Sequence, residues 1–354
     1  MRGKNPNKIA FIICSNNKQL YLECEKYLLS LDNPKNREIE IIKIENAKSM
    51  ASGYNQGMNK SDAKYKVYLH QDVFIINKHF IEDVIRLFEE NPEYGMLGVL
   101  GCNYMVKDAN YWNHWNVGCV YAWNSLKLID VQMVKNKYIE NVKAIDGLLM
   151  MTQYDFSWRE DFLDGYDMYD VSQSIEVQNH GYKVGVPYQN TTWCLHDCGS
   201  SNMENYDIYR KRLCEEYQSL GYHFEISTEN ERDRLMNQEI KKLMPIIWEH
   251  ILKGELSEAA YIINSLMEMQ VSNTQAGMAY IACRILLMEK KTECNSSIFI
   301  NCKTGEDICK TLLGYILKLQ SREFGKFEET QNDFYENLCK KEIISIIAEH
   351  AILE

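Results

Sequence analysis

Tyr65-Lys-Val-Tyr-Leu-His-Gln-Asp-Val-Phe74 is a short apolar strand that runs straight into His70, Gln71 and Asp72. An acidic residue at the mouth of a buried strand, with more apolar residues directly behind it, is costly unless something pairs with its charge. In an open α/β sheet that place, just beyond the carboxyl end of a strand, is where ligands bind. A metal ion holding a diphosphate is the obvious partner.

The flanking sequence supplies the sheet. Lys8–Cys14 is a continuous apolar strand of the kind buried on both faces of a parallel sheet. Leu20–Leu31 carries apolar residues at helical spacing until Asn33-Pro34 breaks it, and Glu38–Ile44 is a second strand. Met50–Asn59 reads as a helix before the strand Tyr65–Leu69. Phe80–Glu90 is an amphipathic helix closed by Asn91-Pro92, and Met96–Leu100, between Gly95 and Gly101, is another buried strand. Such alternation predicts an α/β fold, a mostly parallel sheet with helices on both faces. The pattern loosens from Asn103 to Val142, then resumes with a helix over Val171–Asn179 and a strand over Tyr182–Val186.

Beyond Glu225–Arg234 strand signals nearly vanish. Helices are expected at Leu235–Leu252, Leu256–Met269, Thr274–Glu289, Ile308–Ser321 and Glu336–Ile352, with Pro245 expected to kink or split the first. Two domains follow: an α/β domain over 1–225 and an all-α accessory domain over 226–354, suited to partner binding or self-association.

Composition narrows the function. A net charge of −11 argues against a nucleic-acid binder, which needs a basic surface to neutralise phosphates. No stretch approaches the roughly 20 apolar residues of a membrane helix, and Ile9–Cys14 is too short for a secretory h-region. A cytoplasmic protein is expected, with its twelve cysteines reduced. Cys194-Leu-His-Asp-Cys198 has ligand-like spacing but lacks a second Cys/His pair to complete a zinc site.

Several polar clusters stand where strands end or helices begin. Ser15-Asn16-Asn17 follows strand one, and Glu45-Asn46 follows strand two; each taken singly reads as ordinary turn chemistry, but lined up on one edge of the sheet they stand where a base and ribose would be read. Asp72 offers one carboxylate to a hard divalent cation. His70, an imidazole, suits a transition metal better than Mg²⁺, or would hydrogen-bond a diphosphate or sugar. The acidic run Trp158-Arg-Glu-Asp-Phe-Leu-Asp-Gly-Tyr-Asp-Met-Tyr-Asp170 is too dense to ionise fully without a cation or hydrogen-bond donors. One carboxyl with a raised pKa would serve as general base, Asp170 first and Asp167 second; Asp170 would equally serve as a helix N-cap. His196, with flexible Gly199-Ser-Ser behind it, is a third metal ligand on a closing loop or a structural histidine. Trp112 and Trp115, in Tyr111-Trp-Asn-His-Trp-Asn116, would line a sugar-gripping cleft or a core layer.

Taken in order, strand one with its Asn pair, Ala51-Ser-Gly-Tyr-Asn55, Tyr68-Leu-His-Gln-Asp-Val73, Gly95-Met-Leu-Gly98, Asp146-Gly147, Trp158-Arg-Glu-Asp161, Gly165-Tyr-Asp-Met-Tyr-Asp170 and Leu195-His-Asp197 resemble family-2-type glycosyltransferases. The likeness is to the subgroup named after the streptomycin-biosynthesis protein StrF, and it covers roughly residues 8–220. It implies a GT-A fold, a UDP- or other nucleotide-sugar donor, an acceptor glycan, protein or small molecule, and Mn²⁺ or Mg²⁺. It further implies that Asp72 and His196 hold the metal and that Asp170 is the base of an inverting transfer. Asn16, Glu45, Asn55, His70, Gln71 and Asp146 would then lie on the donor side, and Trp112, Trp115, Trp158 and Asp161 on the acceptor side. Two departures stand out: His70 replaces the first aspartate of the usual Asp-x-Asp, and Tyr169 and Ser172 stand where acidic residues are commoner. A scaffold protein without turnover and a nucleotide-sugar epimerase are the rival readings. A dehydrogenase is disfavoured, because strand one lacks a Gly-x-Gly phosphate turn.

Overall fold

A computed structural model describes residues 4–122, 127–130, 138–189, 192–197, 205–226, 228–268, 274–291 and 297–320. These fall into two compact units: the first takes the residues up to Ile226 except 122–128, the second takes 122–128 and the chain from Thr228 onward.

The first unit opens with β1 (Asn5–Ser15), α1 (Lys18–Leu29), β2 (Glu38–Glu45), α2 (Met50–Lys60), β3 (Ala63–His70), β4 (Val73–Ile75) and α3 (Phe80–Glu90). It continues through β5 (Tyr94–Gly98), β6 (Leu100–Cys102), β7 (Val117–Ala122) and β8 (Lys127–Asp130), of which residues 122 and 127–128 fall to the second unit, then β9 (Ile139–Asn141), β10 (Ala144–Ile145) and β11 (Leu149–Thr152). Helix α4 (Tyr169–Asn179), β12 (Lys183–Pro187), β13 (Cys194–His196) and α5 (Tyr206–Glu216) complete it. The main sheet has the order β2-β1-β3-β11-β5-β12-β9. Strand β1 is parallel to β2 and β3, and β12 to β5, whereas β11 runs antiparallel between β3 and β5, and β9 antiparallel to β12.

Alternation along the strands sends successive side chains to opposite faces. On one face Ala10, Ile12 and Tyr68 pack with Met50, Ala51, Tyr54 and Met58 of α2 and Val171, Ile175 and Val177 of α4. On the other, Phe11 meets Phe80 and Tyr65 stacks on Phe88, both from α3. The α/β class expected from the sequence is observed, with helices on both faces of a mostly parallel sheet. Lys66, the fully buried charge of β3, is matched by Asp155 at 2.8 Å and by the Ala63 carbonyl at 2.7 Å.

Two expectations are corrected. The strand expected over Met96–Leu100 ends at Gly98, and Leu100–Cys102 joins a second, smaller sheet of order β10-β6-β7-β13-β4. The region 103–142 supplies part of that sheet. Its strands β8 and β9 are short and β7, buried at successive residues Val117–Val120, does not alternate, so sequence patterning does not reveal them.

The second unit is helical: α6 (Thr228–Lys253), α7 (Leu256–Glu268), α8 (Thr274–Lys291) and α9 (Gly305–Gln320). Pro245 lies inside α6 without splitting it. Gly254, at φ +76°, makes the turn into α7, and the Glu255 N–H closes back onto the His250 carbonyl. Ile247, Ala259, Ile263, Ala282, Ile285 and Leu312 form its core. The helix expected over 336–352 and Cys198 lie outside the described residues. No helix among the described residues is long and apolar enough to cross a membrane.

Buried Asn55 in α2 holds the chain before α4 in place. Its amide donates to the Trp158 carbonyl and to Glu160 Oε1, both at 2.9 Å, and accepts from the Trp158 N–H at 2.9 Å. Asn55→Ala would leave the Trp158 N–H unpartnered in the interior, while its carbonyl keeps the Glu160 N–H at 2.8 Å, and a loss of about 1–3 kcal/mol is expected from urea unfolding.

Candidate metal and active site

Three side chains converge where β3 ends. β13 pairs antiparallel with β4, placing His196 opposite Val73, and the Asp197 N–H donates to the Asp72 carbonyl at 2.8 Å. His196 Nε2 then lies 3.6 Å from Asp72 Oδ1, and His70 Nδ1 lies 4.0 Å from the same oxygen. The three ligand atoms all fall within 4.8 Å of one another, the one such His/Cys/Asp/Glu cluster among the described residues. Asp72 Oδ1 is buried and has no hydrogen-bond partner.

That orphaned oxygen fits a cation. A metal ion about 2.1 Å from each of two donors can hold them at most about 4.2 Å apart. Both measured separations satisfy this, yet both are too long for direct hydrogen bonds. Burial opposes ionisation of Asp72, but attraction to His196 and His70 outweighs it and holds the carboxyl at about 2. Burial also lowers the His70 pKa, keeping the imidazole neutral and able to ligate near pH 7.

Behind this cluster stands the start of α4. Met168 adopts the left-handed conformation at φ +63°, and the next two residues serve different partners. The Tyr169 hydroxyl lies 2.5 Å from His70 Nε2. Asp170 accepts from the Gly147 N–H at 2.8 Å and from the Val171 N–H at 2.8 Å. Asp170 is therefore inside the first turn, and the N-cap position belongs to Met168. Burial first, and then the charge of Asp146, raise the Asp170 carboxyl to about 7 despite those two backbone donors. Burial likewise raises Asp167 to about 6. Asp146 itself accepts from the Leu148 N–H at 3.0 Å, turning the chain into β11 beside His70, whose own N–H donates to the Leu148 carbonyl.

The remaining sequence-selected residues lie elsewhere. Gln71 Oε1 accepts from the Asn16 and Asn17 N–H groups and from the Ser15 hydroxyl, and its amide donates to Asn16 Oδ1, so Gln71 and Asn16 fasten the turn after β1 to the end of β3. Glu45 is exposed at the end of β2, paired with Lys43 at 2.5 Å. Asn55 spends its amide on residues 158–160. Trp158 is 2% exposed, packed against Tyr54, Tyr68 and Tyr169, and offers no open face to an acceptor. Asp161 forms a two-point pair with Arg159, which also bridges to Glu176 and Glu216. Trp112 is 40% exposed, and Trp115 stacks on buried Tyr111. The sequence reading missed Tyr169 as the partner of His70; an aromatic in an acidic run gave no sign of what its hydroxyl would meet.

The family described as "Glycosyltransferase like family" matches residues 10–217, more than half of the chain and the whole of this cluster. Crystal structures of S. aureus TarS 1–349, with UDP and without it, are similar to this chain at 10% identity over 86% of it and 90% of that chain, with TM-scores of 0.35 and 0.36. A structure titled S. aureus TarS matches at 9% identity over 79% of this chain and 52% of that one, with a TM-score of 0.36. No curated protein matches significantly.

Gly147 is where the two halves of the site touch. A Cβ there would lie 2.1 Å from the Tyr169 hydroxyl and 2.6 Å from its ring carbon. Gly147→Ala is expected to destabilise the protein by about 1–3 kcal/mol, because a packed ring must shift. Combining it with Tyr169→Phe should recover part of that loss, which paired thermal melts of the single and double variants would measure.

Proposed function

The chain belongs to the glycosyltransferase-like family, and on that premise we propose that it moves a sugar from a nucleotide-diphosphate donor, a UDP-sugar, to an acceptor hydroxyl with inversion at the anomeric carbon. The reading places it among GT-A enzymes, near the StrF-like subgroup, as a cytoplasmic protein. One observation carries it: a buried, donorless Asp72 oxygen faces His196, in the same unit as an Asp170 carboxyl raised to about 7.

Asp72 and His196 would hold Mn²⁺ or Mg²⁺, which when bound supplies positive charge against the departing diphosphate. Asp170 takes the proton of the acceptor hydroxyl. The freed oxygen forms the new bond to the anomeric carbon while the bond to the diphosphate oxygen breaks, and that oxygen leaves with the electron pair. Gly147 and Val171 N–H groups fix the carboxylate's orientation, and Asp146 keeps its proton affinity high enough for general-base work near neutral pH. Trp112, beside the Tyr206 hydroxyl that accepts its N–H, is our choice for the acceptor side. Residues 226–354 would dock the acceptor, a protein partner or a second copy.

Isothermal titration against UDP-, GDP- and dTDP-sugars tests the donor site. One nucleotide class should bind with Mn²⁺, lose binding in EDTA, and fail to bind Asp72→Ala; no binding to any of them sinks the reading.

The base makes a separate prediction. Transfer rate should rise as pH increases through about 7, where Asp170 loses its proton, and Asp170→Asn should lower kcat by about 10²–10⁴-fold. A carboxyl whose pKa is raised by folding costs stability above its unfolded value, and the full cost is reached above its folded one. Asp170→Asn should therefore be the more thermally stable protein at pH 8, with the gap narrowing toward pH 5. One pKa unit is worth about 1.4 kcal/mol, which sets that gap at a few kcal/mol at most.

A further inference from the structure

We propose that His70 is a third ligand of the metal ion, that Tyr169 is the positioning residue that commits His70 Nδ1 to it, and that the resulting two-imidazole, one-carboxylate site takes Mn²⁺ or Co²⁺ in preference to Mg²⁺. This rests on the transferase reading for the presence of an ion and goes beyond it in the ion's identity and ligands.

The two nitrogens of His70 face different neighbours. Nε2 is engaged by the Tyr169 hydroxyl at 2.5 Å, which leaves Nδ1 as the atom turned toward Asp72. A histidine serving only to hydrogen-bond Asp72 would bring Nδ1 to about 3 Å of the carboxylate. It lies at 4.0 Å, and Asp72 Oδ1 has no donor. His196 Nε2 lies 3.6 Å from the same oxygen, so a ring nitrogen of each imidazole faces one carboxylate oxygen within the span that a shared ion can bridge. A ligating histidine commonly spends its second ring nitrogen on a fixed partner, which sets the tautomer. With Nδ1 on the ion, the proton sits on Nε2 and is donated to the Tyr169 oxygen.

Tyr169 is built to hold that role. Its side chain is 4% exposed, wedged edge-on against Tyr54 and packed on Trp158, and its hydroxyl takes the space beside Gly147 that a Cβ would fill. The ring cannot drift without displacing an aromatic cluster. Metal choice follows from the donor set. Mg²⁺ asks for oxygen ligands in near-ideal octahedral geometry. Imidazole favours first-row transition ions, with affinity rising from Mn²⁺ to Co²⁺.

The test uses the full-length chain stripped of metal by chelation, without nucleotide. Titration calorimetry should give Mn²⁺ and Co²⁺ dissociation constants at least about tenfold below that of Mg²⁺. Tyr169→Phe should weaken Mn²⁺ by about tenfold or more, the scale of a lost outer-shell partner. His70→Asp should erase the preference for Mn²⁺, and electron spin echo modulation of bound Mn²⁺ should count two coordinated nitrogens in the native chain and one in His70→Asp. A melting curve checks that each variant folds, and His70→Gln serves in place of His70→Asp should the latter not fold. Equal affinity for Mg²⁺ and Mn²⁺ in the native chain overturns the proposal, as does an unchanged nitrogen count in the His70 variant. If nucleotide-sugar binding is metal-dependent while His70 proves silent, this inference fails and the transferase reading stands. If the ion binds as expected and no nucleotide sugar does, the reverse holds.

Discussion

Asp72 keeps one carboxylate oxygen buried without a hydrogen-bond donor, and the surrounding structure is arranged around that cost. Withdrawing a carboxylate from water is expensive, and the interior normally supplies donors in return. Here the Asp72 backbone is well tied: its carbonyl accepts from the Asp197 N–H, and β13 is zipped to β4 immediately beside it. Its side chain is left facing two imidazoles, one of them neutralised by its own burial. At 3.6 and 4.0 Å both rings attract that charge, yet neither nitrogen is near enough to hydrogen-bond the orphaned oxygen. A cation between the three groups would meet it, because all three present lone pairs to such an ion. The edge of the sheet is thus shaped by a buried carboxylate oxygen that no hydrogen-bond donor reaches.

What keeps the cluster open, rather than collapsed into hydrogen bonds, lies in the packing behind it. Tyr169 draws His70 away from Asp72 through Nε2. Tyr169 is set by Tyr54 and Trp158, and Trp158 is fixed at both its backbone N–H and its carbonyl by Asn55 of α2. This is a continuous line of contacts from a buried amide to a ligand candidate. Interiors pack densely, so a displacement at one end of such a line has little slack to absorb it. Asn55 and Trp158 therefore matter to the site without touching a substrate.

The legible part of the protein follows from how its sheet is buried. Strands covered on both faces must be apolar throughout, and β1, β3 and the helix α3 stand out for that reason, α3 at the very residues where its apolar face begins and ends. Asp72 and His196 were legible because charged groups at strand ends violate that pattern. The strands β4, β6 and β10 were not, since runs of two or three residues carry no period. Nor was the division of labour among polar residues. Gln71 reads like a ligand and serves as a clamp for the turn at Asn16. Trp158 reads like a sugar-binding surface and is core, because an aromatic in a cleft and one beneath it look alike in sequence.

Adjacent residues at a helix start rarely serve one site from two sides, and α4 shows what it takes. Tyr169 must point to His70 while Asp170 points to Gly147, and the chain reaches that geometry through Met168 at φ +63°, a conformation that costs a non-glycine residue on the order of 1 kcal/mol. Gly147 completes the fit from the turn between β10 and β11 by presenting only a backbone N–H: any side chain would strike the tyrosine. A strained backbone, a carboxyl raised to about 7 and an oxygen without a donor therefore sit within one short stretch of structure. The first two cost folding free energy, and the third leaves a buried acceptor unpaired. Their coincidence is expected where a structure is held ready for a ligand that relieves them together, and it sets this end of the sheet apart from the well-satisfied turn at Gln71.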